Sequence, residues 1–263
     1  QYNYDLSNNN VDVDMLGSIG ICTEVFEAWR QIKKLQQEVL LATRSGATTT
    51  SGMSLGASVD QVKATLSEYC VSLAQVTDHE GEVEALYNES LQYDPHNNNA
   101  ILGLAKLFKH KSDLNGCIAQ CRKVVTSNTS NDEAVIMLSE SLSLLQQQQL
   151  QAQWDAEADG KETDESRDVG TVETSSIIEP LKSFLKEFPN NYKVLERLIV
   201  VLRRMGRLPE VPFHLTMAEN TDKRSIAHSG YHYCKGLYAR YTNDVISAIQ
   251  HFNLSRKDIK SDY

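Results

Sequence analysis

The stretch EVEALYNESLQYDP, Glu82–Pro95, decides the fold, because three further segments of the same pattern follow it along the chain. They are GCIAQCRKVVTSNT (Gly116–Thr129), SIIEPLKSFLKEFP (Ser176–Pro189) and EVPFHLTMAENTDK (Glu210–Lys223). The second residues of the four segments are Val83, Cys117, Ile177 and Val211, with spacings of 34, 60 and 34 residues. Self-similarity at a fixed period of about 20 to 50 residues indicates a repeat architecture.

A 34-residue period is that of the tetratricopeptide repeat, a pair of helices joined by a turn. The spacing of 60 residues equals one period plus an insertion of 26 residues. Four residues after each aligned position lie Tyr87, Cys121, Leu181 and Leu215, and a step of 37 residues then leads to Phe252. We therefore predict an all-α fold, a tetratricopeptide-repeat α-solenoid in which antiparallel helix pairs form a right-handed superhelix.

The residues between the aligned segments have the pattern of the other helix of each pair. One face of a helix is predicted by the spacing of Ile101, Leu104, Ala105 and Phe108, and by that of Leu195, Leu198, Ile199 and Leu202. Ser58-x-x-Gln61, Ser130-x-x-Glu133 and Ser176-x-x-Glu179 have the spacing of a capping box, which predicts helix starts near 58, 130 and 176. Strand signals are nearly absent from the sequence.

These patterns divide the chain into a series of segments. Residues 1–23 are an irregular lead-in, and residues 24–57 hold the helix of a degenerate preceding repeat and a flexible Ser/Thr/Gly loop. Repeats are predicted at 58–96, 97–130, 131–190 and 191–224, with a partial or final repeat at 225–263. A polar, acidic insertion at about 146–175 interrupts the repeat 131–190, and its composition favours a mobile segment whose Gln-rich start continues a helix. We expect the chain to be a fragment of a longer protein.

The net charge of -9 over 263 residues is unevenly distributed. Residues 1–154 carry 10 Lys and Arg against 18 Asp and Glu, residues 155–173 carry 2 against 8, and residues 174–263 carry 14 against 9. An isoelectric point near 5.3 argues against a general binder of nucleic acid or of anionic membranes, because both need a cationic excess. Five Cys without a CxxC motif favour neither a disulfide framework nor a zinc module.

The sequence lacks the motifs that mark common catalytic and cofactor sites, such as GxSxG, GxGxxG and HExxH. We accordingly predict no catalytic residue, no cofactor and no metal ligand. Cys117 and Cys121 have the spacing of half a metal site or a redox pair, but their repeat positions favour packing between helices. His228 and His232 have the spacing of two ligands on one helix face, without a further ligand nearby in sequence.

Two surface features have a functional and a structural interpretation. Tyr231, Tyr233, Tyr238 and Tyr241 surround Gly236, and filling a helix–helix seam is favoured over forming a base-stacking platform. The candidate partner-binding face consists of Lys193, Arg197, Arg204 and Arg207. These cations are predicted to share one face of a first helix beginning near Tyr192, where they would grip an acidic peptide segment; otherwise they form a solvated face. The acidic insertion is interpreted as a tolerated loop, with regulation of this basic face as the alternative.

The longest matching phrases lie in the carboxyl-terminal part of the chain. They are RLIVVLRRMGRLPEVPFHLTMAE (Arg197–Glu219) and GYHYCKGLYARYTNDVISAIQHFNLSRKD (Gly230–Asp258). With these phrases, the chain from about Val59 to Asp258 resembles the tetratricopeptide repeat protein twenty-one family. The acidic insertion departs from the family pattern, which has a short turn there.

The resemblance implies a non-enzymatic scaffold subunit of intraflagellar transport complex A. Such a subunit acts in retrograde ciliary transport and in the entry of membrane-protein cargo into the cilium. The implied partners are other subunits of that complex and cargo adaptors, without nucleic acid and without insertion into a membrane. The implied location is the cilium or flagellum and the ciliary base, with a cytoplasmic pool.

The alternative to a complex subunit is a generic tetratricopeptide adaptor or co-chaperone that binds peptide termini. Such a module holds a terminal carboxylate through Lys and Asn side chains on consecutive first helices. In the helix predicted to begin near Asn98, Leu102 and Lys106 stand where a two-sided clamp needs polar donors. This mismatch disfavours the adaptor. An enzyme domain is disfavoured by the missing catalytic motifs.

Overall fold

The chain is represented by a computed structural model that describes residues 27, 30–32, 34–38, 41, 54–77, 79–158 and 172–256. These residues form helices and turns, and no strand occurs among them. The predicted all-α fold is confirmed. The described residues between 27 and 41 are helical, as expected for the helix at 24–44, whereas the lead-in at 1–23 lies outside the described residues.

The α-helices succeed one another along the described parts of the chain. They are α1 (Ser54–Val76), α2 (Glu80–Tyr93), α3 (Asn98–His110), α4 (Leu114–Ser127), α5 (Asp132–Ala158), α6 (Thr174–Glu187), α7 (Tyr192–Arg204), α8 (Val211–Thr221), α9 (Ser229–Tyr241) and α10 (Val245–Ser255). Short 3₁₀ helices at Leu208–Glu210 and Lys223–Ala227 flank α8. The segments aligned by sequence lie in α2, α4, α6 and the α8 region. Their shared positions Tyr87, Cys121, Leu181 and Leu215 are buried.

The predicted capping boxes are wrong in their residues. Asn131 accepts a hydrogen bond from the backbone N–H of Ala134 (2.9 Å) and so caps α5, whereas Ser130 lies one residue earlier. Ser176 lies inside α6, where its hydroxyl donates to the carbonyl of Glu173 (2.6 Å). Ser58 lies inside α1, which begins at Ser54. An Asn or Asp side chain can satisfy the unpaired amides of a first turn without the partner residue that a capping box requires.

The chain divides into two compact units, Gln1–Leu107 and Phe108–Tyr263. The first contains α1 and α2, whose apolar faces enclose Leu66 and Leu73 together with Ile32. A buried hydrogen bond of 2.8 Å between the hydroxyls of Ser67 and Ser90 joins α1 to α2. Each of these buried hydroxyls has a hydrogen-bond partner, so the two polar groups can lie in an apolar interior.

The second unit stacks successive helices from α4 to α10. α5 packs against α4, α6 and α7, and α9 packs against α7 and α10. The centre is formed by fully buried aliphatic residues of α6 and α7, which are Ile177, Ile178, Leu181, Leu185, Leu195, Leu198, Ile199 and Leu202. Between α9 and α10, a Cβ on Gly236 would lie 2.8 Å from the ring of Phe252, so the close approach of these helices requires glycine.

The tyrosines near Gly236 do not all fill that seam. Tyr231 is buried, whereas Tyr233 is 38% exposed. Tyr241 is half-buried and carries the guanidinium of Arg203 over its ring at 4.2 Å. Core packing therefore accounts for Tyr231 and only in part for the others.

The acidic insertion begins as an extension of a helix. α5 has 27 residues, against 13 in α7, and reaches Ala158 through the Gln-rich stretch. Residues 159–171 lie outside the described residues. Val172, which follows these residues, makes two hydrogen bonds to α5. Its carbonyl accepts from Gln146 Nε2 and its N–H donates to Gln149 Oε1, both at 3.0 Å. Among the described residues, no helix is long and apolar enough to cross a membrane.

Candidate partner-binding surface

The four predicted cations do not occupy one helix. Lys193, Arg197 and Arg204 lie on α7, but the helix ends at Arg204 and Arg207 lies beyond it. Gly206 has a φ of 69°, a conformation that glycine adopts without strain and that commonly ends a helix. The Arg207 N–H then bonds the Leu202 carbonyl at 2.8 Å. The prediction that Arg207 continues the helical face is therefore wrong.

Arg197 connects α7 to α5. Its Nη2 donates to the Ser139 carbonyl (3.2 Å) and to the Ser143 hydroxyl (3.1 Å), and its Nε donates to the Ser139 hydroxyl (3.3 Å). Burial lowers the pKa of this guanidinium, and the nearby carboxylate of Glu140 partly offsets the effect. Arg197 therefore contributes mainly to the contact between two helices within the chain.

Arg204 and Lys193 are exposed cations of α7, as is the neighbouring Arg203. Arg204 donates to Gln147 Oε1 at 3.2 Å, which leaves its charge without a carboxylate in that contact. It lines a cavity of about 170 Å³ together with Gln147 and the half-exposed Leu150 of the α5 extension. This cavity offers a cation beside apolar surface.

Lys193 lines another cavity, of about 240 Å³, beside α9. Glu196 and Tyr233 also line this cavity, and the two side chains are hydrogen-bonded to each other. Burial raises the pKa of Glu196, while the hydrogen bond from Tyr233 opposes that shift. Lys193 and Arg204 thus stand over different cavities at the two ends of α7.

Arg207 belongs to a third environment, near α6 and α8. Its Nε donates to Glu210, and Lys182 Nζ donates to the other carboxylate oxygen of Glu210 at 2.8 Å. The hydrogen bond from Arg207, followed by that from Lys182, holds the pKa of Glu210 below its usual value. The sequence-based prediction therefore combined residues that the fold distributes over three places.

Cys117 and Cys121, whose spacing resembles half a metal site, make other contacts in the fold. Cys117 and Cys121 are both buried with their Sγ atoms 4.0 Å apart, and the Cys117 sulfur lies 3.2 Å from the Ser141 hydroxyl. The hydrogen bond with Cys117, together with burial, raises the pKa of Cys121. No group of three or more His, Cys, Asp or Glu placed to hold a metal occurs in the part of the chain that the structure describes.

The two histidines four residues apart do not act together. His228 caps α9 by accepting from the Gly230 N–H at 3.0 Å, and its ring lies against that of Tyr192. His232 faces His251 of α10 instead, with their Nδ1 atoms 3.2 Å apart. Leu102, which stands where a peptide-terminus clamp would need a polar donor, is buried in the fold.

One functional candidate was missed by sequence reasoning. Phe213 is 64% exposed on α8 and borders a groove between α6 and α8. The sequence contained a signal for this position, because Phe213 falls outside the helical spacing of the buried residues Val211, Leu215 and Ala218. An aromatic side chain outside the apolar face of an amphipathic helix is directed toward solvent or toward a partner.

Comparisons with known proteins point to the same family. A family model described as the TT21 fifth ARM repeats domain matches residues 169–262, which contain α6 to α10. Tetratricopeptide repeat protein 21B of Xenopus laevis is 27% identical over 198 residues, covering 74% of this chain and 13% of the relative. The protein of the same name from Homo sapiens is 29% identical over 239 residues, covering 89% of this chain and 16% of the relative.

A crystal structure of MamA protein aligns with a TM-score of 0.47 and 15% identity, covering 76% of this chain and 96% of that chain.

This chain spans only 13% and 16% of the length of the two curated relatives above. Those relatives share the name of one protein, and the family model corresponds to a domain of it. Residues 169–262 thus match a domain of the tetratricopeptide repeat protein 21 family, and most of the chain is similar to proteins of that family.

Proposed function

We propose that this chain is part of a non-catalytic scaffold subunit of intraflagellar transport complex A. The subunit acts in retrograde ciliary transport and in the entry of membrane-protein cargo into the cilium. Its location is the cilium and the ciliary base, with a cytoplasmic pool. Similarity to the tetratricopeptide repeat protein 21 family, over 74% and 89% of the chain for two relatives, is the observation that carries this proposal.

The packing of the second unit supports a scaffold role. Fully buried aliphatic side chains of α6 and α7 fix these helices against each other, so surface side chains keep their relative positions without a ligand. A surface that is already ordered loses little conformational entropy on binding. Helix pairs stacked in this way present long, preformed surfaces to other subunits.

Within this scaffold, Lys193 and Arg204 form the proposed contact with an acidic partner segment. They lie eleven residues apart on α7, or about 16 Å along the helix axis. Each stands beside a cavity, so a partner segment along α7 can pair a carboxylate with each cation and place apolar groups next to them. Arg197, which lies between them, holds α7 to α5 and so keeps the two cations in place.

The test is affinity purification of the full-length protein from ciliated cells that lack the endogenous copy. The wild-type protein is expected to co-purify with intraflagellar transport A subunits and to localise to cilia. Combined substitution Lys193→Glu and Arg204→Glu is expected to reduce that recovery at least fivefold. The matched control is Arg122→Glu with Lys123→Glu, which reverses two exposed cations of α4.

The two parts of the proposal can fail separately. If the wild-type protein recovers none of those subunits, the assignment to the complex is wrong. If it recovers them and the α7 variant recovers them equally well, the complex is right but the contact lies elsewhere. Circular dichroism of both variants checks that the helices are intact.

A further inference from the structure

A groove of about 380 Å³ runs between α6 and α8 in the second unit. α6 contributes Lys182 and Lys186 to its wall, and α8 contributes Phe213, His214 and Met217. These are second helices of their pairs, so the groove is formed by different helices from the Lys193 and Arg204 surface of α7. Its volume is sufficient for one or two bulky side chains of another protein.

Phe213 is an aromatic side chain with no place in the core. α8 buries Val211, Leu215 and Ala218 on its inner face and leaves Phe213 64% exposed. The ring makes an edge-to-face contact with His214, at 5.3 Å between centroids, and this contact orients it at the border of the groove. Exposed aromatic rings next to a preformed cavity are typical anchors for a protein partner.

His214 adds a polar atom to the groove. The side chain is 8% exposed and lines the groove, and its buried Nδ1 has no hydrogen-bond partner in the part of the chain that the structure describes. Burial, together with the charge of Lys182, lowers the pKa of this imidazole, which favours its neutral form. An unsatisfied buried polar atom is costly, and a hydroxyl or amide entering the groove can remove that cost by bonding it.

The charges around the groove define the chemistry of the occupant. Lys182 and Arg207 both bond the single carboxylate of Glu210. Lys186 lies one helical turn beyond Lys182 and is exposed. The lining holds Lys182 and Lys186 against Glu179 and Glu210, and Arg207 bonds Glu210 from beside the groove. Because Lys182 and Arg207 both bond Glu210, the exposed Lys186 is the lining cation that can pair with a partner, and the groove is complementary to a carboxylate placed beside an apolar group.

We propose that the α6–α8 groove docks a segment of a partner protein in which a bulky apolar side chain is followed closely by Asp or Glu. The apolar side chain packs against Phe213 and Met217, and the carboxylate pairs with Lys186. A hydroxyl or amide of the same segment bonds His214. This proposal does not depend on which complex the protein belongs to.

The first step of the test identifies the occupant in place. A photo-crosslinking phenylalanine analogue replaces Phe213 in the full-length protein in cells, and Phe188 is replaced in a control because it is exposed but does not line this groove. The expected result is a crosslinked peptide from another protein, specific to position 213, that contains a bulky apolar residue next to Asp or Glu. Crosslinks to the same chain or to a second copy of it would overturn the proposal.

The second step measures binding of that peptide, made synthetically, to the full-length protein. Phe213→Ala and Lys186→Glu are each expected to weaken binding at least tenfold, and Lys123→Glu is expected to change it less than twofold. Both residues of interest are exposed, so neither substitution disturbs the core. A peptide without acidic residues, or one whose affinity is unchanged by Lys186→Glu, refutes the groove as an acidic–apolar docking site.

Discussion

At the scale of single residues, Gly103 determines how closely α3 approaches the ring of Tyr87. A Cβ at this position would lie 2.3 Å from Tyr87 Cζ, whereas a Cβ on Gly81 would meet nothing nearer than 3.6 Å. We expect Gly103→Ala to lower the free energy of unfolding by about 1–3 kcal/mol, because overpacking displaces a buried ring. Gly81→Ala, within helix α2, is expected to raise it by up to about 1 kcal/mol. Urea unfolding followed by circular dichroism compares the two; equal effects would show that the contact with Tyr87 is unimportant.

We expect two histidines, His214 and His251, to make the stability of the folded chain sensitive to acid. Burial is the main cause that lowers the pKa of His214 and of His251, and for His251 the charges of Lys235 and His232 add to it. Both start from an ordinary value of 6.5, so the unfolded chain binds protons that the folded chain does not. We therefore expect the free energy of unfolding to be unaffected by these two groups above about pH 6.5. It should decrease as the pH falls toward their lowered pKa values, because the unfolded chain then takes up more protons.

The expected observation is a midpoint of urea unfolding that declines between about pH 7 and pH 5. Replacement of both residues, His214→Gln and His251→Gln, is expected to flatten that decline relative to the wild-type protein. An unchanged pH dependence in the double variant would assign the acid sensitivity to other groups.

At the scale of helices, Arg197 is the polar connection between α5 and α7. Arg197→Met removes its bonds to the Ser139 carbonyl and to two serine hydroxyls while keeping an apolar stem in the seam. We expect the free energy of unfolding to fall by about 1–3 kcal/mol, because buried acceptors lose their donor. Arg204→Met, on the same helix but exposed, is expected to change it by less than about 0.5 kcal/mol. Thermal unfolding of the two variants under one buffer condition checks this difference.

The helices themselves could be predicted from sequence because their apolar periodicity is local. Leu195, Leu198 and Leu202 mark the buried face of α7 without reference to the rest of the chain. The role of Arg197 could not be predicted in this way, since its partner Ser139 lies 58 residues away. Which cations of a helix face solvent depends on the neighbouring helix, and that neighbour is specified by tertiary packing.

Helix ends were predicted less well than helix interiors, for a different reason. Asn128, Ser130 and Asn131 lie close together before α5, and each has a side chain that can bond a free amide. Asn131 was selected over Ser130 by the path of the preceding turn, where Ser130 donates to Asn128 Oδ1 instead. Likewise, the turn at Gly206 removed Arg207 from the cationic face of α7. Periodicity alone does not register such turns.

At the scale of the whole molecule, the separation of charge gives binding a dependence on salt. Residues 174–263 carry 14 Lys and Arg against 9 Asp and Glu, whereas residues 1–173 carry 12 against 26. If the carboxyl-terminal part contacts an acidic partner, added salt screens the attraction. Recovery of partner subunits is expected to fall several-fold between about 50 and 300 mM NaCl. The Lys193→Glu, Arg204→Glu protein is expected to show a flatter response, and an identical salt response in the two proteins contradicts an electrostatic contact at α7.

The attachment of Val172 to Gln146 and Gln149 has a consequence for how the chain tolerates change in length. The two hydrogen bonds hold Val172 against α5, so the chain returns at this point to the helix from which it departed. The entropy of closing a loop between two such points grows only slowly, by about 0.6 kcal/mol for each doubling of the loop length. Residues can therefore be gained or lost there with little effect on the register of α6. The same site is suited to an inserted tag or to new chain termini in a circular permutant.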